Sequence, residues 1–172
     1  MNLKLKTKNL KLAFIALGSN LGDSAKILRD AMARLQSFSD KPILKSLLWQ
    51  TTPVDCPPGS RQFVNAVVGL VPQNGETPES LLKKLRELEL EFGRQPKKIL
   101  NEPRPLDSDL IAFGNETRNT PELTLPHPRA YQRRFVLQPL SEVAPDLILP
   151  GQIKTVAQLL AAVPEGEVVT RI

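Results

Sequence analysis

The chain has 172 residues, 23 Lys and Arg against 18 Asp and Glu, and a formal charge of +5 at neutral pH. The excess is local: Lys4, Lys6, Lys8 and Lys11 meet no acid in their stretch, and the remaining 19 cations against 18 acids leave a nearly neutral body, which argues against a polyanion-binding surface over the whole molecule. The single cysteine, Cys56, and the lack of an apolar run of about 18 residues exclude a disulfide framework, a multi-cysteine metal site and a membrane span, and predict one cytoplasmic domain over residues 12–172 behind a basic extension at 1–11.

Residues 12–17 are an unbroken apolar run closed by Gly18-Ser19-Asn20, which predicts a buried strand ending in a turn. Asp23 or Ser24 caps the helix that follows, where Ile27, Leu28, Ala31, Met32 and Leu35 recur at spacings of three and four. Residues 43–52 and 63–71 read as two strands joined by a loop over 54–61 that is long for a hairpin. Thr77, Pro78 and Glu79 start a second helix, with Leu81, Leu82, Leu85, Leu88 and Phe92 on its apolar face and Gly93 as its stop. Residues 94–105 hold three prolines and four cations and predict an exposed loop. A strand over 106–113 follows, with Gly114-Asn115 as its turn and residues 123–125 pairing back. Short helices are predicted near 131–138 and 156–162. The order strand, helix, strand, strand, helix, strand predicts an α+β fold with a ferredoxin-like βαββαβ core, an antiparallel sheet with helices packed on one face, and a C-terminal extension.

Asp107 and Asp109 alternate with Leu106, Ser108 and Leu110, so in a strand both carboxylates share a face. Two solvated strand acids fit that spacing, and so does a Mg²⁺ site whose shell is completed by water and phosphate oxygens. Arg94, Lys97, Lys98 and Arg104 lie just upstream with one acid, Glu102, among them, which favours a phosphate-rich ligand opposite the aspartates. His127 is the only histidine and sits between Pro126 and Pro128, where a phosphate donor, a proton-transfer group and an ordinary loop residue are all open readings. Gly18-Ser19-Asn20 lacks the glycine count and lysine of a P-loop and reads as a strand-to-helix turn.

Several blocks occur together in one order: Gly18-Ser19-Asn20-Leu21-Gly22-Asp23, Thr52-Pro53, Phe63-Val64-Asn65-Ala66, Glu89 with Gly93-Arg94, and Pro103-Arg104 followed by Leu106-Asp107 and Asp109-Leu110. Pro126-His127-Pro128-Arg129 then leads through Arg133 and Phe135 to Pro139-Leu140. From residue 13 to the end the chain resembles the 6-hydroxymethyl-7,8-dihydropterin pyrophosphokinase family of folate biosynthesis. The resemblance implies an enzyme, a Mg-dependent diphosphotransferase that moves pyrophosphate from ATP to the pterin hydroxymethyl group and releases AMP. It implies catalytic roles for Asp107, Asp109, Arg94 and Arg104, with both aspartates holding two Mg²⁺ ions. Glu89, Lys97, Arg104, His127 and Arg133 match positions at the nucleotide. Phe63 and Phe135 match an aromatic pair that sandwiches the pterin, with Thr52, Pro53, Val54 and Asn65 reading its polar edge. The partners it implies are small molecules, ATP and a reduced pterin, with no nucleic acid and no membrane, for a monomer in the cytoplasm. The loop departs from the family pattern: Pro96 stands where many members carry Arg, and Asn101-Glu102 where they carry Trp-Gly. Those changes leave room for a catalytically altered or silent relative. A basic ferredoxin-like RNA-binding module is a further alternative, disfavoured by the aromatic-poor strands.

Overall fold

Strand β1 (Ala13–Ser19) runs through the centre of the sheet, and its unbroken apolar sequence follows from that place, because helices cover the sheet on both sides. The computed structural model describes residues 10–52, 57–164 and 169–172. Asp23 caps helix α1 (Ser24–Leu35) by accepting the Lys26 N–H at 3.2 Å, and Leu28, Ala31, Met32 and Leu35 form its buried stripe.

The single strand expected over 43–52 is two: β2 (Leu44–Lys45) and β3 (Trp49–Thr51), both antiparallel to β4 (Phe63–Leu70). Between them the register slips by one residue, from Lys45 opposite Val68 to Trp49 opposite Asn65. Ser46 accommodates the slip. Its N–H donates to the Val67 carbonyl at 2.9 Å and its Oγ accepts the Val67 N–H at 2.9 Å, so a hydroxyl replaces the backbone acceptor that the extra residue displaces.

Thr77 and Ser80 form a reciprocal capping box at the start of helix α2 (Pro78–Glu91), and Gly93, with φ of +90°, turns the chain out of it. Strand β5 (Asp107–Phe113) lies on the other side of β1. Phe14 faces Ala112 and Ile15 faces Leu110, which leaves Ile111 as an extra residue whose carbonyl accepts the His127 N–H at 2.9 Å. Strands β6 (Arg118–Asn119) and β7 (Thr124–Leu125) pair with each other, not back onto β5 as expected. Hydrogen bonds of 3.0 and 3.1 Å between Thr120 and Leu123 close the turn that holds them together.

The helix expected near 131–138 is displaced: a 3₁₀ turn (Ala130–Gln132) comes first, extended Arg133 breaks it, and α3 (Arg134–Val143) follows. Helix α4 (Val156–Ala162) stands where expected, capped by Thr155. A last strand not foreseen, β8 (Val169–Arg171), extends the sheet beyond β3.

The sheet order is β5–β1–β4–β3–β8 with β2 also on β4, antiparallel throughout, and the fold is α+β. Helices α1 and α2 pack against Ile15, Leu17, Val68 and Leu70. Helices α3 and α4 pack against Phe14, Val67, Ile111 and Ala112 on the opposite face. The two helices of the expected core share one face, and the C-terminal extension covers the other, where Val136, Leu137, Leu140, Val156 and Leu159 find their apolar partner. Each such fully buried side chain contributes roughly 1.5–3 kcal/mol. Among the described residues no helix is long and apolar enough to cross a membrane.

Candidate active site

Along β1, on the face covered by α3, the side chains shrink from Phe14 to Ala16 to Gly18. Ala16 is flanked in register by Val67 and Asp109, and Gly18 by Asn65 and Asp107. The loss of side-chain volume hollows the sheet beside the two aspartates. A Cβ on Gly18 would stand 3.1 Å from Asn65 Oδ1 and 3.6 Å from the Phe63 ring, a tight fit to which the Asn65 amide would have to yield.

Two clefts open from this hollow. The first, about 480 Å³, is lined by Gly18, Thr51, Thr52, Phe63, Asn65 and Phe135. The second, about 630 Å³, lies between α2 and the 94–105 loop and is lined by Arg86, Glu89, Arg94, Pro96 and Lys97. Asn101, Arg104, Asp107, Asp109 and Arg133 line both. The structure therefore gathers Asp107, Asp109, Arg94, Arg104, Glu89, Lys97, Arg133, Thr52, Phe63, Asn65 and Phe135 around one junction. His127 lines neither cleft. Pro53 and Val54 lie outside the described residues.

Buried Glu89 organises the second cleft. Its carboxylate accepts the Ser108 N–H at 2.8 Å and the Arg86 guanidinium at 2.7 Å, and pairs with Arg94 at 2.9 Å. Arg94 also donates to Asp107 at 2.9 Å. Burial works against its charge, but Glu89 and Asp107 outweigh that and raise its pKa further. Arg104 Nε lies 3.6 Å from Asp107 Oδ2 while its guanidinium sits 5.4 Å from the Phe63 ring centre, and Arg133 sits 5.3 Å from that of Phe135. Each aromatic wall thus carries a cation at the edge of the junction.

Asp109 is pushed up to about 6 by burial first and by the Asp107 charge second. A divalent cation would relieve that repulsion, and hard carboxylate oxygens on one strand face are suitable ligands for Mg²⁺. Among the described residues no cluster of three or more His, Cys, Asp and Glu forms a closed metal cage, so these two carboxylates would leave most of the shell to water and ligand oxygens. His127 is pushed down to about 4 by burial and then by Arg133 and Arg129, and its Nδ1 accepts the Arg129 N–H at 3.2 Å. It is a neutral ring with its proton on Nε2 at neutral pH.

Three contributors were not foreseen. Thr51 Oγ1 accepts from Asn65 Nδ2 at 2.7 Å and fixes that amide. Arg86 enters the second cleft from α2, and Asn20 holds the backbone of Arg104. Helix spacing places Arg86 one turn from Glu89, a usable signal; nothing local links Asn20 to Arg104.

The family model for 7,8-dihydro-6-hydroxymethylpterin-pyrophosphokinase (HPPK) matches residues 14–145. The chain belongs to this family. Membership makes it a pyrophosphokinase of folate synthesis. The 2-amino-4-hydroxy-6-hydroxymethyldihydropteridine pyrophosphokinase of Bacillus subtilis is 38% identical over 133 residues, 77% of either chain. That of Pseudomonas aeruginosa is 35% identical over 152 residues, 88% of this chain and 91% of the other. The folic acid synthesis protein fol1 of Pneumocystis carinii is 37% identical over 140 residues, and the match spans 80% of this chain but only 18% of fol1. The Plasmodium falciparum HPPK-DHPS structure with pteroate superposes at a TM-score of 0.67 and 12% identity, over 89% of this chain and 44% of the other, and supports the fold alone.

Proposed function

We propose that this HPPK-family chain joins the hydroxymethyl oxygen of 6-hydroxymethyl-7,8-dihydropterin to the β-phosphorus of ATP, breaking the bond between the β-phosphorus and the α,β-bridging oxygen and releasing AMP and a proton. The observation that carries the reading is the junction, where Arg104, Asp107, Asp109 and Arg133 line both clefts. Two substrates, one in each cleft, would meet there. A flat heterocycle suits the cleft walled by Phe63 and Phe135, with Asn65, Thr52 and, by resemblance, Pro53 and Val54 at its polar edge. A triphosphate suits the cleft that offers Arg94, Lys97 and Arg104, with Glu89 setting the place of Arg94.

Asp107 and Asp109 would hold Mg²⁺, two ions in our reading, which supply charge neutralisation and a template for in-line attack. The protein's own part is positioning. Arg104 and Arg133 turn from the rings of Phe63 and Phe135 to phosphate oxygens, and the aromatic walls fix the hydroxymethyl group. By resemblance, His127 is read as a donor toward the nucleotide from outside the two clefts, through the Nε2–H of a ring that burial keeps neutral. We read residues 12–172 as a single domain with a ferredoxin-like core and a C-terminal extension, which the order β5–β1–β4–β3 with α1 and α2 on one face supports, and the working form as a cytoplasmic monomer.

The test is to mix the protein with the reduced pterin and MgATP. One AMP should appear for each pterin consumed. ADP as the product, or no pterin-dependent AMP, would overturn the reading.

A further inference from the structure

The Gly18-Ser19-Asn20 turn does more than join β1 to α1. Asn20 is 2% exposed, its Oδ1 accepts the Arg104 N–H at 2.9 Å, and its own N–H donates to the Arg104 carbonyl at 3.2 Å. Arg104 lies between Pro103 and Pro105, neither of which has an N–H. Its amide is therefore the single backbone donor of that tripeptide, and Asn20 takes it together with the neighbouring acceptor. The clamp ties the root of the 94–105 loop to the end of the central strand.

Two further observations give the clamp a direction. Arg104 Nε is buried and has no hydrogen-bond partner among the described residues, the nearest carboxylate oxygen being Asp107 Oδ2 at 3.6 Å. A buried donor held just short of an acceptor at a cleft junction is poised for another acceptor. Asn20 Nδ2 is likewise buried without a partner among the described residues. An orphaned amide donor works against stability, so what favours asparagine here is its Oδ1 on the Arg104 amide.

We infer that Asn20 is a positioning residue for the transfer step: it fixes the backbone of Arg104 so that the guanidinium meets the phosphates at the junction. The inference rests on the reading of that junction as the site of pyrophosphoryl transfer. A displacement of about 1 Å at a reacting centre lowers turnover by as much as about 100-fold. Asn20→Ala is therefore expected to lower kcat about 10- to 100-fold with the KM for ATP and pterin within about 3-fold, a split that a loss of uniform binding would not give. Asn20→Asp keeps Oδ1 and is expected to recover most of the rate.

The experiment measures single-turnover AMP formation in the full chain for Asn20→Ala, Asn20→Asp, Arg104→Ala and the double variant Asn20→Ala with Arg104→Ala, each checked for folding by circular dichroism. If Asn20 acts through Arg104, removing it from the Arg104→Ala protein changes nothing further. Multiplicative losses in the double variant, or wild-type kcat for Asn20→Ala, would overturn the inference. Should Asn20→Ala not fold, Asn20→Ser, whose hydroxyl falls short of the amide, replaces it with the same expectation. Absence of AMP with the wild-type protein would instead overturn the parent reading.

Discussion

At the scale of the residue, the site is held in a state that binding would relax. Asp109 has a folded pKa raised to about 6 from its ordinary 3.8, so its contribution is fully present below 3.8 and is lost as pH rises through 6. His127 has a folded pKa lowered to about 4 from 6.5, so its contribution is fully present above 6.5 and is lost as pH falls through 4. The two slopes oppose each other between about 4 and 6. Asp109→Asn removes the first, and chemical denaturation of the ligand-free variant is expected to show a gain of about 1–3 kcal/mol above pH 6, together with loss of turnover. His127→Gln is expected to leave the Asp109 slope alone, with stability falling as pH rises from 4 to 6. A flat profile for both variants would contradict these assignments. The aspartate pair was legible from its period of two, because a strand sends alternate side chains to one face. The Asn20–Arg104 clamp was not, since its partners are 84 positions apart and neither belongs to a periodic pattern.

At the scale of the element, α1 and α2 were legible because their capping residues and apolar stripes are local, and Thr77 with Pro78 marks a start that tertiary contacts did not move. The β2–β3 region was misread as one strand because a Ser46 hydroxyl stands in for a backbone carbonyl, an event with no sequence periodicity. Ser46→Ala leaves the buried Val67 N–H without that acceptor and is expected to cost about 1–3 kcal/mol by denaturant titration, with cleft residues otherwise intact. Within the 94–105 loop, Pro96 adds no cation to the second cleft, while Glu102 accepts the Lys98 N–H at 3.1 Å and closes the loop on itself. Pro96→Arg is expected to lower the KM for ATP about 3- to 10-fold through a charge-assisted phosphate contact, and to leave the KM for pterin unchanged. Steady-state kinetics with each substrate varied in turn checks both.

At the scale of the whole molecule, periodicity told that each C-terminal helix buries one side but not which sheet face it meets. Val136, Leu137 and Leu140 pair with Phe14 and Val67, residues far away in the chain. That placement matters for the site, because α3 brings Phe135 into the cleft that Ala16 and Gly18 of β1 and Phe63 of β4 also line. The opening charge of +5 likewise resolves into a lysine-rich start and a few cations gathered around two carboxylates. The central claim is that one nucleotide and one pterin meet over Asp107 and Asp109. Its most direct test is a crystal structure of the protein with Mn²⁺, a non-hydrolysable ATP analogue and the reduced pterin. Anomalous density bonded to both aspartates, with the triphosphate beside Arg94 and the pterin ring between Phe63 and Phe135, is the predicted result. Metal bound away from these carboxylates, or a pterin outside the Phe63–Phe135 cleft, would contradict the account.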